Sequence, residues 1–360
     1  MKTETNRNSA FELLRIVAMF MIVWGHCMLA TAQNQEPYLG TLDNIGWFVG
    51  AFTVCAVNLF FLLTGYFAQS RNYKWNRIVY IWFKTILYSI GICLIVSLLT
   101  GNFEWKMMLS FCFPVFLRKY WYMQVYIVLA FLTPYIAYTL EHLDKKKHTI
   151  LVVVLLLFFC VHETFIKVSM TLDQTQGYGI IWACTLFVVG NWLRCYGDKY
   201  ICRISAGWWN LAYIIMSILI FLSNYLIVRY DIASGVNSRG NFYAYNSLTV
   251  FLQSVFLFCA FIQLAGKWKG YTKKWINRIG KNTLAVYLIS AHPLLLYPLW
   301  TDILPEKRIV DFPIIYILVS IVASAGIIGI CVLIDKIVNM VLKTVDYNFF
   351  KYFTKQNYKS

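Results

Sequence analysis

The feature that most constrains this chain is the recurrence of apolar runs of roughly 20 residues along nearly its whole length. They fall at roughly 11–32, 45–68, 78–100, 120–140, 149–166, 178–196, 208–228, 245–265, 283–300 and 312–340. A helix rising about 1.5 Å per residue needs about 20 apolar residues to cross the hydrocarbon core of a bilayer. Inside hydrocarbon the backbone must satisfy its own N–H and C=O groups, which leaves the helix as the form open to runs of this length. The expectation is an all-α polytopic membrane protein with about ten transmembrane helices. Composition agrees: 60% of the 360 residues are apolar and 13% are charged, against about 25% charged in a soluble domain. A membrane domain over 9–340 and a short basic tail over 341–360 account for the chain, with no long linker, low-complexity segment or internal repeat.

Lys and Arg give the topology. With the N-terminus in the cytoplasm, the inside segments carry groups such as Arg71, Lys74, Arg77 and Lys84, then Lys145, Lys146 and Lys147, then Arg194, Lys199 and Arg203. About three in four of the 32 basic residues fall on that side, as the positive-inside rule requires. Both termini are therefore expected in the cytoplasm, in a multi-pass protein of the plasma (inner) membrane. The same loops account for most of the net charge of +16 without nucleic acid as a partner, because basic cytoplasmic loops face anionic membrane lipid. The basic start, the first apolar run and Ala30-Thr31-Ala32 also resemble a cleaved signal peptide. Glu12, Arg15 and His26, which intrude into that run, argue against it. The ten cysteines are scattered, with no Cys-x-x-Cys and no Cys/His spacing suited to zinc, so no metal is expected.

Few polar residues interrupt the apolar runs, and intramembrane ionisable residues are functional candidates by default. Arg15 and His26 share the first run. Eleven helical steps turn about 1100°, about 20° past three full turns, so the two side chains lie on one stripe about 16 Å apart. Glu12, one turn before Arg15, can pair with it. A neutral imidazole at His26 can act as a general base toward a hydroxyl. From spacing alone, a histidine hydrogen-bonded to a neighbouring helix, with Arg15 reaching headgroups, is equally open. Asn58, at mid-membrane depth in the second run, needs a partner. Thr64-Gly65-Tyr66 ends that run, where glycine permits a close helix approach or a break. Arg71, Lys74 and Arg77 follow, able to hold phosphates or simply to form a positive-inside loop. Trp121 and Tyr122 open the fourth run, either as an interfacial belt or as platforms for sugar rings. His292 lies about two-thirds of the way along the ninth run, just before Pro293. It can line the same cavity as His26 or make a structural hydrogen bond.

At these residues the chain resembles the integral-membrane acyltransferase 3 family, whose members include O-acetyltransferases of cell-surface polysaccharides. The resemblance rests on the Arg/Lys-x10-His pattern met by Arg15 and His26, and on a Phe-Phe-x-x-Ser-Gly-Tyr/Phe element. The latter is met by Phe60, Phe61, Thr64, Gly65 and Tyr66, with Thr in place of the usual Ser. The basic run, the aromatic start of the fourth run and a late Gly-x-x-Ser/Thr-Leu-x-x-Tyr-Leu-Ile pattern from Gly280 also fit. Relatives often read Tyr-Leu-Ile-His where this chain has Ser290, so a role carried by that histidine does not transfer to His292.

The resemblance implies a donor, acetyl-CoA, on the cytoplasmic side and an acceptor hydroxyl on a lipid-linked or polymeric glycan on the other. His26 would serve as general base or acyl carrier, with Arg15 beside it in the catalytic set. Arg15, Arg71, Lys74 and Arg77 would meet the phosphates of the acyl-CoA, with Thr64, Gly65 and Tyr66 next to them. Trp121, Tyr122, Asn58 and His292 would face the acceptor. Asn58, Thr64 or a tyrosine hydroxyl would supply the oxyanion donor. A flippase or exporter of lipid-linked saccharide is the alternative. Such a protein is expected to line its lumen with basic residues from many helices, whereas mid-membrane basic residues are few here. A polysaccharide polymerase is expected to carry a larger outer loop than those at about 101–119 and 229–244.

Overall fold

A computed structural model of the chain describes residues 8–32, 41–70, 75–166, 175–234, 242–269, 273–303 and 312–344. Every regular element among them is helical. In chain order they are α1 (Ser9–Ala32), α2 (Thr41–Thr53), α3 (Ala56–Tyr66), α4 (Trp75–Thr100), α5 (Trp105–Cys112), α6 (Trp121–Glu141), α7 (Lys145–Leu156), α8 (His162–Phe165), α9 (Ile180–Trp192), α10 (Asp198–Ile201), α11 (Ala206–Ser234), α12 (Leu248–Lys267), α13 (Lys274–Gly280), α14 (Thr283–Ser290), α15 (Pro298–Ile303) and α16 (Pro313–Thr344). Single π turns, Leu157–Val161 and Leu193–Gly197, join α7 to α8 and α9 to α10. Nine helical stretches among the described residues are long and apolar enough to cross a membrane.

The ninth apolar run departs from the single membrane helix expected. It is broken into α14 and α15, with the short α13 just before it. Proline has no N–H and disfavours helical geometry in the residue before it. Pro293 accordingly stops α14 at Ser290, and Pro298 opens α15 at a position that tolerates it.

The second run bends for a different reason. Thr53 Oγ1 donates to the carbonyls of Val49 and Gly50, at 3.0 and 3.3 Å, a back-bond that bends helices. The helix breaks at Val54–Cys55. The carbonyls of Ala51 and Phe52 then receive no N–H from four residues on among the described residues. Other helices supply the missing donors. Gln253 Nε2 of α12 donates to Ala51 O at 2.7 Å and the Tyr213 hydroxyl of α11 to Phe52 O at 2.7 Å. A backbone broken inside an apolar bundle is tolerated only with such replacement partners.

Glycine sets a close crossing between α3 and α9. A Cβ on Gly65 would overlap the Phe187 carbonyl oxygen, and one on Gly190 would overlap that of Leu62. The backbones of α3 and α9 therefore touch, as small residues allow between membrane helices. Asn58 ties the same region together. Its Nδ2 donates to Tyr245 O at 2.9 Å and to Ser254 Oγ at 3.2 Å, and its Oδ1 accepts from Trp182 Nε1 at 3.1 Å.

α1 is the hub. It packs against α2, α3, α12, α13, α14, α15 and α16, and it lies between two apolar clusters. Leu14 and Ala18 join the first, built mainly from α3, α9 and α12. Met19, Val23 and Cys27 join the second, which includes residues of α4, α14 and α16.

Lys84, counted in the sequence with a basic loop, is instead buried within α4. Its Nζ lies 2.6 Å from Asp335 Oδ1 of α16, and the Tyr88 hydroxyl donates to the same oxygen at 2.7 Å. Removing one partner from a buried pair strands the other charge, at a cost of about 3–5 kcal/mol, whereas an apolar pair of similar size is tolerated. Lys84→Met and Asp335→Leu alone should each lower the thermal unfolding midpoint and the folded yield in detergent. The double variant should recover most of both. Additive losses in the double variant would count against the pair.

Candidate active site

The Arg15–His26 stripe faces the junction of the two clusters. Ile22, one turn before His26 on that stripe, packs against both of them, as do Phe60 and Tyr122. The stripe therefore lies at the seam of the bundle, with its arginine and its histidine about 16 Å apart along the axis.

At the arginine end, the start of α1 is fixed first. Asn8 Oδ1 accepts from Ala10 N at 3.0 Å, as an N-cap does. Asn8 Nδ2 donates to Ala265 O at 3.0 Å, and Ser9 Oγ accepts from Lys273 N at 2.9 Å. Phe11 packs on Tyr66 and Phe67 with ring centroids 5.2 and 4.9 Å away. One turn on, Arg15 Nη1 and Glu12 Oε1 form the expected pair at 2.7 Å, with Glu12 nearly buried and Arg15 26% exposed. The pair is charge-assisted and desolvated on one side, so it orients the guanidinium rather than merely attracting it. Gly280 makes room for it, since a Cβ there would sit 2.5 Å from Glu12 Oε2. This gives a steric reason for the glycine that opens the late Gly-x-x-Thr motif, a partner that spacing alone did not reveal. The guanidinium also lies 6.0 Å from the Phe67 ring centroid.

The aromatic start of α6 is packed into the bundle. Tyr120 is fully buried and its hydroxyl donates to Leu288 O at 2.9 Å. Tyr122 stacks on Tyr126 at 5.9 Å and meets Tyr287 and Phe61 at 5.6 and 5.3 Å. Trp121 lies against Tyr178 and Tyr245, at 4.5 and 5.8 Å. Tyr126 closes the aromatic segment that opens the fourth run and Tyr287 is the tyrosine of the late motif, but neither was assigned to the site from the sequence. The spacing of Tyr122 and Tyr126, one helical turn apart, is the signal that would have found the first of them.

The two deep histidines differ sharply. His292 is fully buried and both ring nitrogens are engaged. Nδ1 accepts from Leu294 N at 3.1 Å, so Nε2 carries the proton toward Ser89 O at 3.2 Å. Its ring stacks on Phe111 at 4.9 Å. His26 is half-buried, and its buried Nδ1 has no hydrogen-bond partner among the described residues. An unpaired buried polar atom costs about 1–3 kcal/mol, so this nitrogen has a hydrogen-bonding position that the described residues leave unused. Beside it, Gly25 lets α2 approach, with the glycine's Cβ position 3.2 Å from Thr53 Oγ1.

Of the other residues singled out, Asn58 has both amide hydrogens and its carbonyl committed to the fold, as described above. Thr64 donates to Phe60 O at 2.8 Å, which leaves its oxygen able to accept. Gly65 serves the crossing with α9. The Tyr66 carbonyl accepts from Arg194 Nη1 at 3.0 Å, which caps the end of α3. Arg77 is exposed at the start of α4. Arg71 and Lys74 lie outside the described residues, as does the tail from 345 onward. No group of three or more metal-ligating side chains occurs among the described residues.

An α-helical bundle with nine membrane-length helices among the described residues defines a multi-pass membrane protein. The family model for the acyltransferase domain Acyl_transf_3 matches residues 8–336, and the chain belongs to that family. It is thus a membrane acyltransferase. No curated protein and no solved structure matches the chain significantly.

If Gly280 exists to seat Glu12, Gly280→Ala should act through Arg15. Acyltransferase activity should fall about tenfold on displacing one charge-assisted hydrogen bond. Glu12→Gln should do the same, and the double variant should be no worse than the worse single one, because the two act on one contact. Activity measured in membranes at matched protein level checks this.

Proposed function

We propose that the protein transfers an acetyl (acyl) group from acetyl-CoA in the cytoplasm to a hydroxyl of a cell-surface or lipid-linked glycan on the other side of the plasma membrane. The observation that carries this reading is the contrast on the α1 stripe. Arg15 is oriented by a buried carboxylate at one end, and His26 keeps an unpartnered buried nitrogen at the other.

In this reading Arg15 belongs to the catalytic set with His26, and with Arg71, Lys74 and Arg77 it meets the phosphates of the anionic donor. Arginine suits that task because its planar fork matches phosphate oxygens. Thr64, Gly65 and Tyr66 flank the same end. Support comes from the packing of Phe11 on Tyr66 and Phe67, which holds the end of α3 beside the start of α1. Tyr122 and Trp121 offer aromatic faces for the acceptor's sugar ring. Asn58 and His292, whose polar atoms are already committed, hold the helices that present those faces.

The chemistry balances without a metal. His26 takes the proton of the acceptor hydroxyl, the oxygen attacks the thioester carbonyl, and a C–O bond forms as the C–S bond breaks. The proton on the imidazole then passes to the leaving thiolate of CoA. If the imidazole itself carries the acetyl group, its free nitrogen forms a C–N bond as the C–S bond breaks and the ring proton passes to the CoA thiolate; the acceptor oxygen then forms the C–O bond as the C–N bond breaks, its proton going to the imidazole. The oxyanion formed in either route needs a hydrogen-bond donor. Tyr122, which packs at the seam of the two clusters, has a hydroxyl that can serve.

Transfer of radiolabel from acetyl-CoA to membrane glycan, in vesicles, tests the reading. His26→Ala should lower transfer by at least about a hundredfold, the usual share of a general base, at unchanged protein level and unfolding midpoint. His292→Gln should act mainly on stability. Transfer that survives in His26→Ala would remove His26 from the mechanism, and glycan translocation indifferent to acetyl-CoA would favour a transporter.

A further inference from the structure

A second set of cations gathers away from the α1 stripe, where α7 begins and α10 ends. A cleft of about 290 Å³ is lined there by Lys145, Cys195, Tyr196 and Lys199. Cys195 and Tyr196 lie in the π turn Leu193–Gly197. Such turns recur at functional sites.

Tyr200 forms a fixed platform beside the cleft. Its ring stacks on Trp192 at 6.5 Å with 13° between planes, and Trp192 is anchored by a 2.9 Å bond from Nε1 to Thr149 Oγ1. Two ammonium groups converge on that ring. Lys145 Nζ donates to the Tyr200 hydroxyl at 2.9 Å and lies 5.2 Å from the ring centroid. Lys199 Nζ lies 5.3 Å from the same centroid. Neither lysine has a carboxylate within ion-pair distance among the described residues. The acids close by in sequence and space are engaged elsewhere or exposed. Glu141 accepts from Ser70 N and Oγ at 2.9 and 2.5 Å, Asp144 caps α7 and faces Lys147 at 3.8 Å, and Asp198 is exposed. Behind Tyr196, edge-on at 5.7 Å, His148 is fully buried. Its Nε2 faces Val188 O at 3.4 Å and its Nδ1 has no partner among the described residues.

We propose that this cleft binds a phosphate-bearing ligand, held between the ammonium groups of Lys145 and Lys199 against Tyr200 and Tyr196. Two like charges drawn to one ring repel each other, and an anion between them removes that repulsion while gaining two charge-assisted hydrogen bonds. Lysine is a point-charge phosphate binder, and phenol hydroxyls donate to the remaining oxygens. The volume admits a phosphate with a small organic substituent. The ligand comes either from an anionic lipid headgroup at the ends of these helices or from a soluble phosphate compound. The inference is independent of the acyl-transfer reading, because its test is binding alone.

The full chain would be purified into phosphatidylcholine nanodiscs and titrated with inorganic pyrophosphate. In parallel, native mass spectrometry would measure retention of phosphatidylglycerol over phosphatidylcholine. Wild type, Lys145→Gln/Lys199→Gln and Lys145→Arg/Lys199→Arg would be compared. Both lysines are exposed, so unfolding midpoints without ligand should match. Lys199→Gln alone, which keeps the Lys145–Tyr200 bond, gives the comparison should the pair melt early. Wild type should bind in at least one arm. The glutamine pair should bind about tenfold more weakly or worse, at about 1.4 kcal/mol per tenfold for each lost charged contact, and the arginine pair should keep most of the binding. A pyrophosphate response assigns a soluble ligand, and retention of phosphatidylglycerol alone assigns a lipid. No binding in either arm, or equal binding by the glutamine pair, overturns the proposal.

Discussion

In an apolar bundle, a carbonyl or amide that loses its helical partner has no water to turn to, and this requirement decides where the elements of the protein meet. The bend at Val54–Cys55 shows it directly. Two carbonyls are released, and a glutamine from α12 and a tyrosine from α11 are fixed in place to receive them. Asn58 obeys the same rule four residues later. Its three hydrogen bonds draw Trp182 of α9, Ser254 of α12 and the Tyr245 backbone to one point of α3. The Lys84–Asp335–Tyr88 group repeats it with charges, between α4 and α16. Directional polar ties thus supply the register that non-directional apolar contact between lipid-like faces cannot.

What the sequence made legible follows from this. Helical spans are set by length and apolar content, both visible in one dimension, so the all-α reading and most span positions needed no tertiary information. The Glu12–Arg15 pair was legible too, because one-turn spacing is a local property. Lys84 was misplaced because a lysine near the end of an apolar run looks like a loop charge until its acid is known. That acid, Asp335, lies far away in the chain. The ninth run kept the right composition but not continuity. Pro293 and Pro298 were visible, yet apolar content alone does not say whether such a run kinks or breaks. The aromatic start of α6 was ambiguous for the same reason: a belt at the surface and a stack in the interior have one composition.

The two histidines carry the functional argument furthest, because spacing treats them alike and the structure does not. His292 sits before a proline at the end of a broken helix. That geometry presents Nδ1 to the Leu294 amide and Nε2 to the Ser89 carbonyl. Both lone-pair and proton positions are used, so the ring can accept no proton from a substrate without breaking the turn it organises. His26 lies mid-helix, where the local backbone is already paired, and α2 approaches it through Gly25 without offering Nδ1 a partner. The proposed proton transfer would give that nitrogen a partner in the acceptor hydroxyl. The same logic bears on Arg15, whose buried carboxylate partner lowers its freedom but leaves the guanidinium partly exposed. A charge that served only as an anchor to headgroups would gain nothing from being held by a buried acid and a dedicated glycine. The proposed contact with the donor's phosphates would use that fixed orientation.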